Sequence, residues 1–196
     1  MVGSAEQAMP FFKRVFDRRV AAGEFAGAAE VANELGRVLL ELSDVKGGDE
    51  WYRRGYETAK RQPKRAARDI DLAELRWAHA QARIAIRRGN DAEARRQAAI
   101  VKSLADKGTN PDQRVQYWYL AGYIAFYSKD YARAVRELQQ ADQQDPFILL
   151  LLAQAYERSG DAAKVREYYR KVLASNSHAV NNAFARPVAR RMMTVQ

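Results

Sequence analysis

The chain has few residues of the types that catalyse reactions or bind metal ions. It contains no cysteine and only two histidines, His79 and His178, whereas a zinc site needs three or four ligands. Its serines lie near predicted helix ends, where serine usually caps a helix or forms a turn. The sequence has neither a Gly-x-Ser-x-Gly nucleophile elbow nor a glycine-rich phosphate loop. Asp69 and Asp71 are two residues apart, so they face different sides of a helix. We therefore expect no enzymatic activity, no metal ion and no other cofactor.

Basic residues dominate the charge of the chain. There are 33 Lys and Arg residues against 24 Asp and Glu residues, which gives a net charge of +9. Most basic clusters alternate with acidic residues, a pattern typical of solvated helix surfaces. The stretch 60–68 contains no acidic residue and joins two predicted helices, so it could attract nucleic acid or an acidic partner. The candidate basic patch consists of Lys60, Arg61, Lys64, Arg65, Arg68 and Arg87.

The spacing of apolar residues predicts an all-α protein. Apolar side chains recur at intervals of three and four residues, which is the period of a helix, and no segment alternates as a strand would. We expect ten helices, at residues 5–22, 25–43, 49–61, 65–88, 91–107, 111–127, 131–143, 147–158, 161–175 and 178–193. No long linker interrupts them, so the sequence predicts one domain over residues 5–196. Residues 1–4 are expected to be disordered or to derive from the expression vector.

Five of the predicted turns share one chemistry. In each, a residue able to end a helix, in most cases glycine, is followed by Asp, Asn or Glu, which can cap or charge-stabilise the next helix. The turns are Gly23-Glu24-Phe25, Gly48-Asp49-Glu50, Gly89-Asn90-Asp91, Lys129-Asp130-Tyr131 and Gly160-Asp161-Ala162. Because such short turns join antiparallel neighbours, the pattern favours an α-solenoid of stacked helix hairpins.

The C-terminal half of the chain resembles the tetratricopeptide repeat family. The residues that carry the resemblance are Trp118, Gly122, Asp130, Tyr131, Ala134, Leu138, Ala141 and Pro146 in one hairpin, and Leu152, Ala153, Tyr156, Gly160, Asp161, Tyr169 and Val172 in the next. On this basis we expect repeats at 111–145 and 146–175, weaker repeats at 75–108 and 8–42, and a capping helix at 178–193. The helix at 49–61 fits no repeat.

The resemblance implies a groove lined by the first helix of each hairpin. The groove-facing candidates are His79, Arg83, Tyr119, Tyr123, Phe126 and Gln154. Tyr and Arg side chains of this kind are common in binding hot spots. The alternative is that neighbouring helices bury Tyr119 and Tyr123 as part of the core.

We interpret the sequence as a non-enzymatic scaffold that binds a peptide or an extended protein segment in this groove. The alternatives are a basic repeat module that binds nucleic acid or another polyanion, and an assembly or oligomerisation module of a larger complex. The longest apolar run, residues 147–153, is far shorter than the ~20 residues of a membrane span, and no signal peptide is visible. We expect a soluble protein of the cytoplasm or the periplasm.

Overall fold

The computed structural model describes residues 5–175 and 180–194, with side chains from Met9 onwards. Every regular element in these ranges is helical, which confirms the all-α prediction. The helices are α1 (Ala5–Ala21), α2 (Phe25–Glu41), α3 (Val45–Lys60), α4 (Ala67–Arg87), α5 (Asp91–Asp106), α6 (Arg114–Tyr127), α7 (Tyr131–Leu138), α8 (Pro146–Ser159), α9 (Ala162–Ala174) and α10 (Val180–Thr194). A short 3₁₀ turn, Pro111–Gln113, precedes α6. The predictions for residues 1–4 and for His178 lie outside the described residues.

The helices form two compact units that divide between Asp112 and Gln113. Unit 1 contains α1–α5, and unit 2 contains α6–α10. The expectation of a single domain over residues 5–196 stays a prediction.

The turns at Gly89, Lys129 and Gly160 have the predicted chemistry. Each of these residues adopts a positive φ, of 77°, 65° and 81° respectively. The side chain of the following residue, Asn90, Asp130 or Asp161, accepts a hydrogen bond from the backbone N–H three residues later. This bond satisfies one of the free donors at the start of the next helix.

The turn predicted at Gly48-Asp49-Glu50 is wrong. Helix α3 begins at Val45, with Asp44 as its N-cap, and Ser43 takes the positive φ of 70°. The Asp44 carboxylate accepts a hydrogen bond from the N–H of Gly47 at 2.8 Å. Because this cap starts the helix before Gly47 and Gly48, Gly48 lies inside α3 and is buried.

Gly36 of α2 and Gly48 of α3 let the two helices approach closely. A Cβ atom added to Gly36 would lie 3.1 Å from the carbonyl oxygen of Gly48, and one added to Gly48 would lie 3.1 Å from that of Gly36. Gly36 lies eight residues before the N-cap Asp44, and Gly48 lies four residues after it. The same offsets separate small residues from the caps of two other hairpins, namely Ala82 and Ala94 around Asn90, and Gly122 and Ala134 around Asp130. Helices α2 and α3 thus form a hairpin in the same register as the hairpins around Asn90 and Asp130. The sequence-based interpretation, in which the helix at 49–61 fits no repeat, missed this hairpin.

One further boundary differs from the sequence-based prediction. Helix α7 ends at Leu138 rather than 143, because the side chain of Gln143 donates to the Leu138 and Ala141 carbonyls and closes the helix end. Helix α10 runs from Val180 to Thr194 and contains Pro187.

Each unit has its own buried side chains. In unit 1, α1, α2 and α3 share an apolar cluster, and Ala80 and Ile84 of α4 pack on Leu40 and Tyr52. The members of the first cluster are Phe16, Ala28, Ala32, Leu35, Leu39 and Trp51. In unit 2, α10 packs on α8 and α9 and buries Ala185 and Ala189, so it covers that hairpin as the predicted cap.

Candidate functional site

The tyrosines predicted to face a groove are buried. Tyr119 is 2% exposed and Tyr123 is 0% exposed. Their rings pack edge to face with centroids 5.9 Å apart, and Tyr127 continues the row with its centroid 4.7 Å from that of Tyr123. Rings in this setting contribute to folding, so the exposed-tyrosine interpretation of the groove loses its main support.

The reason lies in the composition of α6. Seven consecutive residues, 119–125, are buried, and seven residues cover the whole circumference of a helix. A helix that is apolar on all sides is normally buried on all sides. Trp118, which the repeat pattern places on the packed face, is instead only half-buried.

Arg83 belongs to a buried cluster of unit 1. It is 2% exposed and donates a hydrogen bond from Nη2 to the hydroxyl of Tyr52. Its Nη1 lies 3.7 Å from Oε1 of Glu41, and its guanidinium carbon lies 5.3 Å from the centroid of the Tyr52 ring. Burial raises the pKa of Tyr52 although the Arg83 charge opposes the shift. Arg83 thus ties α4 to α2 and α3.

The other three candidates also give no open wall. His79 is buried on α4. Phe126 and Gln154 are half-buried, and the Phe126 ring packs on Tyr131 with centroids 5.6 Å apart.

Five of the six candidate basic residues lie together at the joint between α3 and α4. Lys60, Arg61, Lys64 and Arg68 are exposed, and Arg65 is half-buried. Lys60 lies 3.6 Å from Glu57, and Arg68 lies 3.5 Å from Asp69. No acidic side chain of the described residues is within ion-pair distance of Arg61, Lys64 or Arg65. We call these three residues the joint cations.

Arg87, the sixth candidate, lies at the other end of α4. It is 19 residues from Arg68, or about 28 Å along the helix at 1.5 Å per residue. Its guanidinium donates to the carbonyl of Leu40 and to the hydroxyl of Ser43, both at 2.9 Å. Arg87 therefore caps the C-terminal end of α2 and is not part of the cluster at the joint.

A cleft of about 260 Å³ opens between α2, α3 and α4 in unit 1. Its lining combines small residues with larger polar and aromatic residues. The lining residues are Ala26, Ala29, Glu30, Asn33, Gly55, Tyr56, Ala59, Gln62, Arg65, Asp69, Leu72, Ala73, Arg76 and Trp77. Arg65 alone is shared with the candidate basic patch.

A stacked aromatic pair forms one wall of the cleft. The rings of Tyr56 and Trp77 are 5.1 Å apart between centroids and inclined by 15°. The Tyr56 hydroxyl donates to Glu74 at 2.7 Å, and this hydrogen bond, together with burial, raises the pKa of Tyr56 to about 12. The pair is held in place from both α3 and α4, so the wall is fixed before any ligand arrives.

Gly55 lets α3 pack closely against α2 beside the cleft. A Cβ atom at this position would lie 2.9 Å from Oδ1 of Asn33 and 3.2 Å from the carbonyl oxygen of Ala29. The side-chain amide of Asn33 therefore lies over Gly55 at the inner end of the cleft. At the rim, Arg76 lies 3.7 Å from Glu30, an ion pair that joins α4 to α2.

The cleft was missed because each of its residues looks ordinary in the sequence. One signal was present: four of the seven lining positions on α2 and α3 carry small residues, namely Ala26, Ala29, Gly55 and Ala59. Helix faces without large apolar side chains cannot fill the space between them.

The described residues hold no cluster of three or more His, Cys, Asp or Glu side chains able to bind a metal ion. None of the helices in the described ranges is long and apolar enough to cross a membrane.

A family profile for the tetratricopeptide repeat matches residues 115–147 and 148–178. A search of curated proteins gives no significant match. The matched part of the chain therefore contains two tetratricopeptide repeats, formed by α6–α7 and α8–α9. Proteins of this family generally act as non-enzymatic modules of protein–protein interaction.

Proposed function

We propose that this chain is a non-enzymatic scaffold that binds an extended protein segment, and that the cleft between α2, α3 and α4 is its binding site. The repeats support the general class of function. The cleft is the observation that supports the site, because it combines a fixed aromatic wall with polar groups in its lining. Binding pockets generally combine an apolar lining with a few polar groups that orient the ligand.

The test is a selection from a random-peptide library, followed by binding measurements on the selected peptides. Ala26 is exposed and lines the cleft, so Ala26→Trp should fill the cleft with little effect on folding. The control is Ala99→Trp, at an exposed position on α5 that is not part of the cleft. We expect Ala26→Trp to abolish binding and Ala99→Trp to leave it unchanged.

Three outcomes would overturn the proposal. Selected peptides that bind Ala26→Trp as well as the wild type would place the site elsewhere. Tight, steeply salt-dependent binding of poly(U) RNA, together with no selected peptides, would favour a polyanion-binding module. Self-association in analytical ultracentrifugation that Ala26→Trp abolishes would assign the cleft to assembly.

A further inference from the structure

We infer that the cleft between α2, α3 and α4 takes one large apolar side chain from a protein segment whose flanking residues are acidic. This inference rests on the proposed function and adds the chemistry of the partner. Three properties of the cleft support it: its size, the amides that line it and the charge at one end.

The cleft is large enough for one apolar side chain. Clefts that hold drug-sized molecules or cofactors generally measure about 300–1,000 Å³, and this one is below that range at about 260 Å³. Its lining includes the stacked pair of Tyr56 and Trp77 and the small residues Ala26, Ala29 and Ala59. A leucine or phenylalanine side chain placed there would contact aromatic and aliphatic carbon on several sides.

Two side-chain amides suit a peptide backbone. Asn33 and Gln62 both line the cleft and are half-buried. Neither side chain makes a hydrogen bond to any described residue. Each amide offers both a donor and an acceptor, which is what an extended backbone needs on either side of an anchoring residue. A purely apolar ligand would leave these groups unsatisfied at a cost.

The order of the helices places the two ends of the cleft. Helices α2 and α3 are antiparallel neighbours, as are α3 and α4. Asn33, Gly55 and Trp77 therefore lie at the inner end of the cleft, and Gln62 and Arg65 lie at the end next to the α3–α4 joint. The apolar anchor belongs at the inner end, beside the stacked rings of Tyr56 and Trp77.

The charge at the joint end is positive and uncompensated. The two acidic residues of the lining are engaged, since Glu30 pairs with Arg76 and Asp69 pairs with Arg68. The Asp69 carboxylate also accepts a hydrogen bond from the N–H of Ala66 at 3.2 Å. The joint cations have no acidic partner among the described residues. The Arg61 guanidinium carbon is held 4.4 Å from the centroid of the Phe25 ring. Acidic residues beside the anchor would neutralise the joint cations, and long-range attraction would speed association of the segment with the protein.

The inference is tested with three fluorescently labelled peptides and anisotropy measurements. The first has a central phenylalanine flanked by glutamates, the second replaces the glutamates by glutamines, and the third replaces the phenylalanine by alanine. We expect the glutamine peptide to bind about tenfold more weakly at low salt, or ~1.4 kcal/mol. We expect the alanine peptide to lose about 30-fold or more, as for a hot-spot side chain.

Charge-reversal variants of the protein locate the effect. Lys64→Glu combined with Arg65→Glu should abolish the preference for glutamate over glutamine. Arg166→Glu combined with Arg170→Glu is the matched control, because it changes the net charge equally at exposed positions on α9. The control should retain the preference. If the double variant at the joint does not fold, the salt dependence of the wild type decides, since only the glutamate peptide should weaken at high salt.

The results separate this inference from the proposed function. Equal binding of the glutamate and glutamine peptides, or equal loss of preference in both double variants, would overturn the acidic partner. If none of the three peptides binds but library-selected peptides are blocked by Ala26→Trp, the chemistry proposed here is wrong and the proposed function stands. If Ala26→Trp blocks no peptide of either kind, both are wrong. Full competition of the glutamate peptide by poly(U) RNA would also overturn the inference, because it would make the joint a general polyanion site.

Discussion

The contact between Gly36 and Gly48 makes a sharp prediction about stability, because α2 carries a second glycine that serves as its control. Replacing Gly36 by alanine puts a methyl group 2.8 and 2.9 Å from two carbon atoms of the Tyr52 ring and 3.1 Å from the Gly48 carbonyl oxygen. Carbon atoms normally pack at 3.5–4.0 Å. Tyr52 cannot turn away easily, since it is 4% exposed and its hydroxyl accepts a hydrogen bond from Arg83.

Two effects of opposite sign decide the size of the change. Alanine is about 1 kcal/mol better than glycine inside a helix, and overpacking of a tight contact costs about 1–3 kcal/mol. Because one of the obstacles is backbone, α3 itself must move, and we expect a cost of about 2–3 kcal/mol. The net loss of unfolding free energy for Gly36→Ala is then about 1–2 kcal/mol.

Gly27→Ala provides the comparison on the same helix. Its nearest neighbour is the guanidinium of Arg19, the end of a flexible side chain that can move at little cost. This variant should keep the propensity gain of up to about 1 kcal/mol. The two variants should therefore differ by about 2–3 kcal/mol, or roughly 4–12 °C in Tm for a chain of this size.

The assay is urea denaturation followed by circular dichroism at 222 nm, with thermal melting as a second measurement. A Gly36→Ala variant at least as stable as Gly27→Ala would refute the close packing of α2 on α3. It would also remove the reason for placing this hairpin in the register of the others.

Three further predictions follow from other contacts. Gly122→Leu should lower the unfolding free energy by ~3 kcal/mol or more, because an added Cβ lies 2.5 Å from a side-chain carbon of α7; a melting curve like that of the wild type would show that α6 and α7 do not pack this way. Replacing both Tyr119 and Tyr123 by alanine should cost ~3–5 kcal/mol for each ring, less than additively because the rings touch, and unchanged urea midpoints would contradict their burial. The hydrogen bonds that Asp71 accepts from Lys107 and Thr109 hold its pKa below the ordinary 3.8, so this carboxylate stabilises the fold above that pH and the contribution is lost as the pH falls below it. The gap in urea midpoint between the wild type and Asp71→Asn should therefore close in acid, and a gap independent of pH would rule out this ion pair.

Much of the fold could be predicted because it depends on local chemistry. A positive-φ residue followed by a capping side chain determines where a helix ends and the next begins, and both residues are visible in the sequence at Gly89-Asn90 and Gly160-Asp161. The error at Gly48 has a local cause as well. A pair of glycines suggests a turn, but Asp44 caps a helix from three residues earlier and Ser43 accepts the left-handed conformation that glycine would normally supply.

The candidate groove could not be predicted in the same way, because exposure depends on what the rest of the fold places around a side chain. The spacing of Tyr119 and Tyr123 shows that they share a face of α6. It does not show whether that face is covered, and the apolar composition of all sides of the helix was the better guide. Arg83 is similar, since its neighbours Tyr52 and Glu41 are 31 and 42 residues away in the chain.

The cleft exists because no large side chain fills the space between α2, α3 and α4, and such a gap has no sequence motif. The alanines of α2 and α3 leave a gap that neither Leu72 nor Trp77 fills, and Arg65 lines it from the connection between α3 and α4. The same connection carries the charge excess that stood out in the sequence. In the binding mode that we propose, the charge of this basic stretch attracts acidic partners, and the adjacent anchor position selects among them.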